Sequence, residues 1–128
     1  MSRLVYLLAL AALNGGAMAG WVAVHDHDDY IAYADPATVM RQGDLAQMRD
    51  LVDLKLPKPS PYGRQHASST ANSEFDCVDM RMRTLHFSLH SGPMGDGEVI
   101  ETVAESNRWL PATPGTLLGI LWQYACSQ

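Results

Sequence analysis

Several features that would place this chain in a common functional class are missing or scarce. It carries 9 Lys and Arg against 14 Asp and Glu, a formal net charge of -5. A general nucleic-acid binder needs a basic face that displaces counterions, and adsorption to anionic lipid needs the same sign of charge. Beyond the N-terminus, no apolar run is long enough to remain in a bilayer. We therefore expect no nucleic-acid partner and no stable membrane insertion.

Enzyme signatures are also absent. The sequence has no G-x-S-x-G, no phosphate-binding loop and no H-E-x-x-H. Glu98 and Glu101 are three residues apart in a predicted strand, so they point to opposite faces and do not form an acid/base pair there. The sequence predicts a protein that is not an enzyme and that needs no cofactor.

Cysteine is scarce, with Cys77 and Cys126 alone and no C-x-x-C. Two cysteines in a protein of an oxidising compartment are typical of one structural disulfide. A metal-binding or catalytic thiol pair is the alternative, but no partner residues for it stand out. We predict the bridge between Cys77 and Cys126.

The N-terminus has the three regions of a cleavable signal peptide. Arg3 supplies the positive charge, residues 4–13 form the apolar core, and Ala17-Met18-Ala19 offers the small residues of a cleavage site. A buried N-terminal helix is the alternative. We predict a signal peptide over residues 1–19 and a mature domain over residues 20–128. No lipid-accepting cysteine follows the core, so the expected location is the periplasm or the medium.

The N-terminal half of the mature chain has strand patterns. Residues 21–24 and 30–34 are short β-type runs separated by a polar turn at 25–29, and Asp35-Pro36 is predicted to break the chain. Gln42-Gly43-Asp44 is a turn that closes a hairpin. Residues 45–54 alternate apolar and polar positions, which predicts a strand with one buried face.

The segment of residues 55–73 lacks any period and contains three prolines, so we predict a long exposed loop. Its basic side chains have the sign opposite to the rest of the chain, which suggests a polar contact with an acidic partner. The candidate binding residues are Lys55, Lys58, Arg64 and His66. A solvated loop without a partner is the alternative.

The C-terminal half combines strands with one helix. Residues 75–89 are β-like, but the apolar positions change phase, which predicts a bulge near Arg83-Thr84. Residues 91–97 form a turn, and residues 98–103 a returning strand. Beyond the N-cap Thr116, an apolar stripe of helical spacing (Leu118, Leu121, Trp122, Ala125) shares its face with Cys126. The fold class is therefore α+β: a small antiparallel sheet with a C-terminal helix packed on one face and tied by a disulfide.

Several segments occur in a characteristic order: Trp21 to Thr38, Phe75-Asp76-Cys77, Arg83 and Leu85, Ser91 to Val99, Trp109-x-Pro111, Pro114-Gly115-Thr116 and Leu121 to Cys126. In this order they resemble the surface-adhesin protein E family. The resemblance implies an envelope protein with an adhesin-like binding role and a protein partner such as a host matrix or serum protein. We expect an exported interaction module, and the sequence also allows a homo-oligomer.

Histidines provide the alternative function. His25 and His27 lie two residues apart beside Asp26, Asp28 and Asp29, and on a continuing strand they share a face, as metal ligands would. An acidic turn without a metal is the competing interpretation. The alternative to the interaction module is thus a periplasmic small-ligand or metal-binding protein. His86 and His90 also share a strand face, which we interpret as a half-exposed polar surface.

Overall fold

The computed structural model describes residues 20–104 and 107–128, so the predicted signal peptide lies outside the described residues. The elements in chain order are β1 (Val22–Asp26), β2 (Tyr30–Gln42), β3 (Leu45–Pro59), β4 (Gln65–Asp76), β5 (Arg81–His90), β6 (Val99–Ala104), β7 (Leu110–Pro111) and α1 (Leu117–Cys126). A single 3-10 turn, Pro93–Gly95, lies between β5 and β6.

The strands form one antiparallel sheet in sequence order from β1 to β6, and β7 pairs with the start of β5. Such a meander needs only short connections, as in the two-residue turn between Gln42 and Leu45. Gly43 in this turn has a φ of 61°, a conformation that glycine adopts without steric cost. The predicted break at Asp35-Pro36 is instead an irregularity within the continuous β2, where the register with β3 shifts between Asp35 and Met40.

Helix α1 begins where the sequence predicted. The hydroxyl of its N-cap Thr116 accepts a hydrogen bond from the Gly119 backbone nitrogen at 3.3 Å. Leu121 and Ala125 are buried against the sheet, and the Trp122 indole nitrogen donates to the Asp76 carbonyl oxygen at 2.7 Å. Gly119 permits the close approach of the preceding segment, because an added Cβ would clash with the Thr113 carbonyl oxygen.

The core lies between α1 and one face of the sheet, which we call the helix-covered face. It consists of Ala34, Ala46, Met48, Phe75, Met82, Ala112, Leu121 and Ala125. The disulfide between Cys77 and Cys126, with 5.6 Å between the Cα atoms, joins the helix end to the edge of this core. In the chain-entropy model a closed loop of this length stabilises the fold by about 4 kcal/mol. The predicted α+β architecture and disulfide are confirmed.

The prediction of one strand over residues 75–89 is wrong, because a turn at residues 77–80 divides it into β4 and β5. The Asp76 carboxylate builds this turn by accepting hydrogen bonds from the backbone nitrogens of Val78 and Asp79 at 3.1 and 3.0 Å. The bond from Asp79, aided by Arg81, holds the pKa of Asp76 below its ordinary value. Cys77 therefore lies in a turn. The predicted bulge is present and lies at Leu85, one residue after Thr84. Leu85 has no register partner on β4, whereas Thr84 and His86 pair with consecutive β4 residues.

The long exposed loop predicted over residues 55–73 is also wrong. Strand β3 continues to Pro59 and β4 begins at Gln65, so only residues 60–64 connect them. Ala67, Ser68 and Ser73 are buried inside the sheet. Small hydroxylated residues in a central strand lack the apolar alternation on which the strand prediction depended.

In the part of the chain that the structure describes, no helix has both the length and the apolar character needed to cross a bilayer.

Candidate functional site

The candidate binding residues lie on a protruding hairpin. The last register pair between β2 and β3 is Tyr30 with Leu54. We call residues 55–66 the arm, and this segment extends past the beginning of β2. The register of β3 and β4 also shifts between Asp53 and Lys58. Beyond this shift, Lys58 pairs with His66 near the end of the hairpin. The arm contains no Asp or Glu, whereas the chain as a whole is acidic.

The cations of the arm have different environments. Lys55 donates to an Asp26 carboxylate oxygen at 2.7 Å, which holds the pKa of Asp26 below its ordinary value. Arg64 lies 3.3 Å from Glu98, and both side chains are at least half exposed. Lys58 has no ion pair among residues 20–104 and 107–128. Exposed ion pairs of this kind contribute about 0–1 kcal/mol each to the stability of the fold. An acidic partner therefore replaces Asp26 or Glu98 as the ion-pair partner with little loss of free energy.

The arm also exposes apolar surface. Leu56 is 74% exposed and Tyr62 is 43% exposed, both on the acid-free segment. The imidazole Nδ1 of His66 lies 3.0 Å from the Lys58 carbonyl oxygen and ties the two strands of the arm together. The four predicted binding residues therefore lie on one protruding hairpin, and the structure adds Leu56 and Tyr62, which charge alone did not single out.

The two histidines of the metal hypothesis are close together but have other contacts. His25 lies within β1, whereas His27 lies in the turn after it, with 6.1 Å between the ring centroids. His27 stacks on Tyr30 at 4.6 Å, and its Nδ1 accepts a hydrogen bond from the Asp29 backbone nitrogen. Within residues 20–104 and 107–128 there is no group of three or more His, Cys, Asp or Glu able to hold a metal ion. Metal binding at His25 and His27 stays a prediction.

The sheet surface opposite the helix, which we call the open face, carries polar side chains. Five consecutive strands place one row of paired residues across it: Asp35, Arg49, Asn72, His86 and Ala104. A second row follows with Tyr33, Leu51, Thr70, Ser88 and Thr102. Hydrogen bonds cross the strands, at 2.9 Å from Asn72 Nδ2 to His86 Nε2 and at 2.9 Å between the hydroxyls of Ser88 and Thr102.

The connection between β5 and β6, residues 91–98, folds back over one end of the open face. The Ser68 hydroxyl donates to the Gly92 carbonyl oxygen at 2.7 Å and accepts from the Gly95 backbone nitrogen at 2.9 Å. Asp53 accepts from the Met94 backbone nitrogen at 2.7 Å. The covered end is therefore closed to ligands, whereas Gln47, Arg49 and His86 on the same face are exposed.

His90 lies under this connection and is 8% exposed. Its Nε2 lies 2.8 Å from the Thr70 hydroxyl, while its Nδ1 is buried without a hydrogen-bond partner among the described residues. Burial lowers the pKa of His90 below its ordinary value, because the charged imidazolium is desolvated there. The predicted pairing of His86 and His90 on one face is observed, with His86 exposed and His90 covered.

The geometry and the sequence together define the class of protein. The chain belongs to the surface-adhesin protein E family, whose sequence profile matches residues 21–127. Membership places the chain among adhesin-like surface proteins rather than among known enzyme families.

Solved structures of Haemophilus influenzae protein E are similar to this fold. One crystal form has 18% sequence identity and a TM-score of 0.57, covering 81% of this chain and 91% of that one. A second structure has 16% identity and the same TM-score, covering 85% and 92%. Protein E from a non-typeable strain gives 18% identity and 0.57, covering 84% and 76%. None of the curated proteins is a significant match. At this identity the likeness shows the fold.

Proposed function

We propose that the protein is exported by a cleavable signal peptide over residues 1–19 and that its domain, residues 20–128, captures a protein partner with the arm. Family membership supports an adhesin-like role, and the ordered charge, apolar core and A-x-A end of the N-terminus support export. By family resemblance, the partner class is a host matrix or serum protein, and the expected location is the periplasm or the medium.

The single observation that carries the binding proposal is the acid-free, protruding arm. Lys58 and Arg64 present cations to an acidic partner, and Leu56 and Tyr62 add apolar surface to bury. Interfaces are commonly anchored by aromatic and arginine side chains surrounded by weaker contacts. Pro57, Pro59 and Pro61 restrict the arm before binding, which reduces the conformational entropy lost on association.

The arm is tested with a variant that keeps the core. Leu56→Ser, Lys58→Glu and Tyr62→Ser are combined, because all three side chains are exposed and outside the buried part of β4. Binding to a panel of purified matrix and serum proteins is measured by surface plasmon resonance at two salt concentrations. We expect at least a tenfold loss of affinity, and we expect wild-type binding to weaken with salt because exposed charges are screened beyond about 10 Å at 0.1 M.

Two controls accompany this measurement. Gln47→Ser lies on the open face, away from the arm, and should bind as the wild type does. Both variants must retain the disulfide and the thermal midpoint. Capture of the same partner with unchanged affinity by the triple variant would remove the arm from the binding site.

Export is tested separately by the mass of the protein recovered from its native host. We expect a chain that begins at Gly20, or within a residue or two of it. A product that retains Met1 and residues 2–19 would contradict export by a cleavable leader.

A further inference from the structure

The open face contains three adjoining depressions that are lined by residues of β2 to β5. A depression of about 260 Å³ is lined by residues of β3, β4 and β5, among them Arg49, Asn72, His86 and Ser88. A second depression of about 220 Å³ shares Arg49 and Asn72 with the first. It leads towards Gln47, which also lines a third depression of about 180 Å³. We call these three depressions together the open-face groove.

Arg49 lies at the junction of the first two depressions and is held in place without being neutralised. Its guanidinium carbon is 5.3 Å from the centroid of the Trp21 ring, a cation–π contact that orients the group. It takes part in no ion pair among residues 20–104 and 107–128. Asp35 is its neighbour on β2, but an Asp35 carboxylate oxygen accepts from the Ala37 backbone nitrogen. A positioned guanidinium of this kind suits a carboxylate, which it binds through two parallel hydrogen bonds.

The remaining polar groups that line the first depression are an amide, an imidazole and hydroxyls, whereas the third depression also includes Glu74, whose carboxylate forms an ion pair with Arg83. Asn72 uses one amide hydrogen on His86 and retains its oxygen and second hydrogen. The paired hydroxyls of Ser88 and Thr102 each keep capacity for a further hydrogen bond. Such a lining matches a ligand with many hydroxyl groups.

A peptide fits this groove less well than a sugar does. The groove lies over the centre of the sheet, where the backbone groups of β3, β4 and β5 are already paired with their neighbours. A peptide strand is therefore unable to add to the sheet there, as it would at an edge. Met40 is the one large exposed apolar side chain among the lining residues, so an apolar anchor pocket is also missing from the described groove.

We propose that the open-face groove binds a carboxylate-bearing oligosaccharide, with Arg49 on the carboxylate and Asn72, His86 and Ser88 on sugar hydroxyls. This site is separate from the arm and takes a different class of ligand. Two sources supply that chemistry: the uronic-acid chains of host matrix and the lactyl-bearing glycan of a bacterial cell wall.

The experiment titrates the oxidised protein with two probes, a hyaluronan hexasaccharide and a peptide-free peptidoglycan tetrasaccharide, by isothermal calorimetry and two-dimensional NMR. Saturable binding of one or both probes is expected, and the probe that binds identifies the source. A carboxyl-reduced hyaluronan hexasaccharide should bind the wild type at least tenfold more weakly than the acidic one, since charge-assisted hydrogen bonds are about twice as strong as neutral ones.

Arg49→Gln keeps a planar donor and removes the charge. We expect it to lose about tenfold or more in affinity for the acidic probe and to bind the acidic and reduced probes about equally. Lys58→Gln on the arm is the matched control and should bind both probes as the wild type does. Asn72→Ala provides a second variant if the first is unstable, and the comparison of probes on the wild type needs no variant.

Two results would overturn the proposal: absence of saturable binding for both acidic probes, or binding by Arg49→Gln within twofold of the wild type. The triple variant of the arm should retain binding in the groove. Failure of the arm and failure of the groove are therefore distinguishable.

Discussion

The same strands present two different surfaces, one to α1 and one to solvent. On the helix-covered face, Ala46, Met48, Phe75 and Met82 are almost fully buried. On the open face, the alternate positions of the same strands carry Gln47, Arg49, Asn72 and His86, among others. Successive side chains of a strand point to opposite sides, so alternate residues of each strand form the two surfaces. The covered face accounts for the fold, whereas side chains on the open face and the arm are available for function.

The residues that carry the family resemblance follow this division. Phe75, Cys77, Trp122 and Cys126 belong to the helix-covered core or pack against it. By contrast, the arm and the open-face residues Arg49, Asn72 and His86 are not among the segments that resemble the family. Structures at 16–18% identity share this fold.

Each face also has a titratable exception to its general character. The helix-covered face buries a carboxyl, Asp50, which is 6% exposed and accepts a hydrogen bond from the Ser73 hydroxyl at 3.0 Å. Burial raises the pKa of Asp50 to about 7, because the charged form is desolvated. The open face in turn buries His90 under the connection between β5 and β6.

The largest expected effect is at Asp50. Because its folded pKa is raised above that of the unfolded chain, the folded state retains a proton that the unfolded state releases between pH 4 and 7. The contribution of Asp50 to stability should therefore be most favourable near pH 4 and should fall by about 2–4 kcal/mol as pH rises to 8, since one pKa unit corresponds to 1.36 kcal/mol. Asp50→Asn should abolish this decline and raise the thermal midpoint at pH 8.

Urea denaturation at pH 4, 6 and 8 checks this prediction. Asp79→Asn, in the exposed turn between β4 and β5, is the matched control and should retain the wild-type profile. His90 contributes with the opposite sign: its lowered pKa favours the fold above about pH 6.5 and costs stability below it. The measurement is therefore repeated in His90→Gln, where the decline due to Asp50 should stand out more clearly. An unchanged decline in Asp50→Asn would assign it to another group.

A smaller effect is expected on the open face, at Ser68. Its hydroxyl makes two hydrogen bonds to the connection between β5 and β6, and the residue is fully buried. Ser68→Ala leaves the Gly92 carbonyl oxygen and the Gly95 backbone nitrogen without this partner, so we expect a loss of about 1–3 kcal/mol. Hydrogen exchange at residues 91–98 should accelerate with little change in β3, which would mark a local opening.

Ser88→Ala is the matched control on the same face, because Ser88 is only partly buried and bonds another side chain. It should cost less than about 0.5 kcal/mol. Equal losses at the two serines would show that the connection between β5 and β6 is not what closes that end of the open face.

Much of the fold was predictable from the sequence because local signals agreed there. The N-cap Thr116 and the apolar stripe ending at Ala125 define a helix by its own period, and the phase change near Thr84 reveals a bulge without any knowledge of the partner strand. Two cysteines leave one pairing within the chain. The helix and the bulge depend on neighbours along the sequence, and the disulfide follows from the number of cysteines.

The site was less predictable, since it depends on register. The sequence placed Lys55, Lys58, Arg64 and His66 on one segment, but only the pairing of Lys58 with His66 shows that this segment is a hairpin. The alternation of apolar and polar residues in β3 already predicted that Arg49 lies on the polar face of the strand. Its proximity to His86, 37 positions away, follows only from the antiparallel register of three strands.

The sequence by itself therefore determined the helix, the disulfide pairing, the alternation of β3 and the family. The tertiary structure alone decided that residues 65–76 form a central strand, that Asp50 is buried and His86 exposed, and that an uncompensated arginine lies in a polar groove. The physical reason is that hydrophobic period and capping act over a few residues. Burial of hydroxylated segments and convergence of polar side chains depend on which strands become neighbours, and long-range pairing sets that.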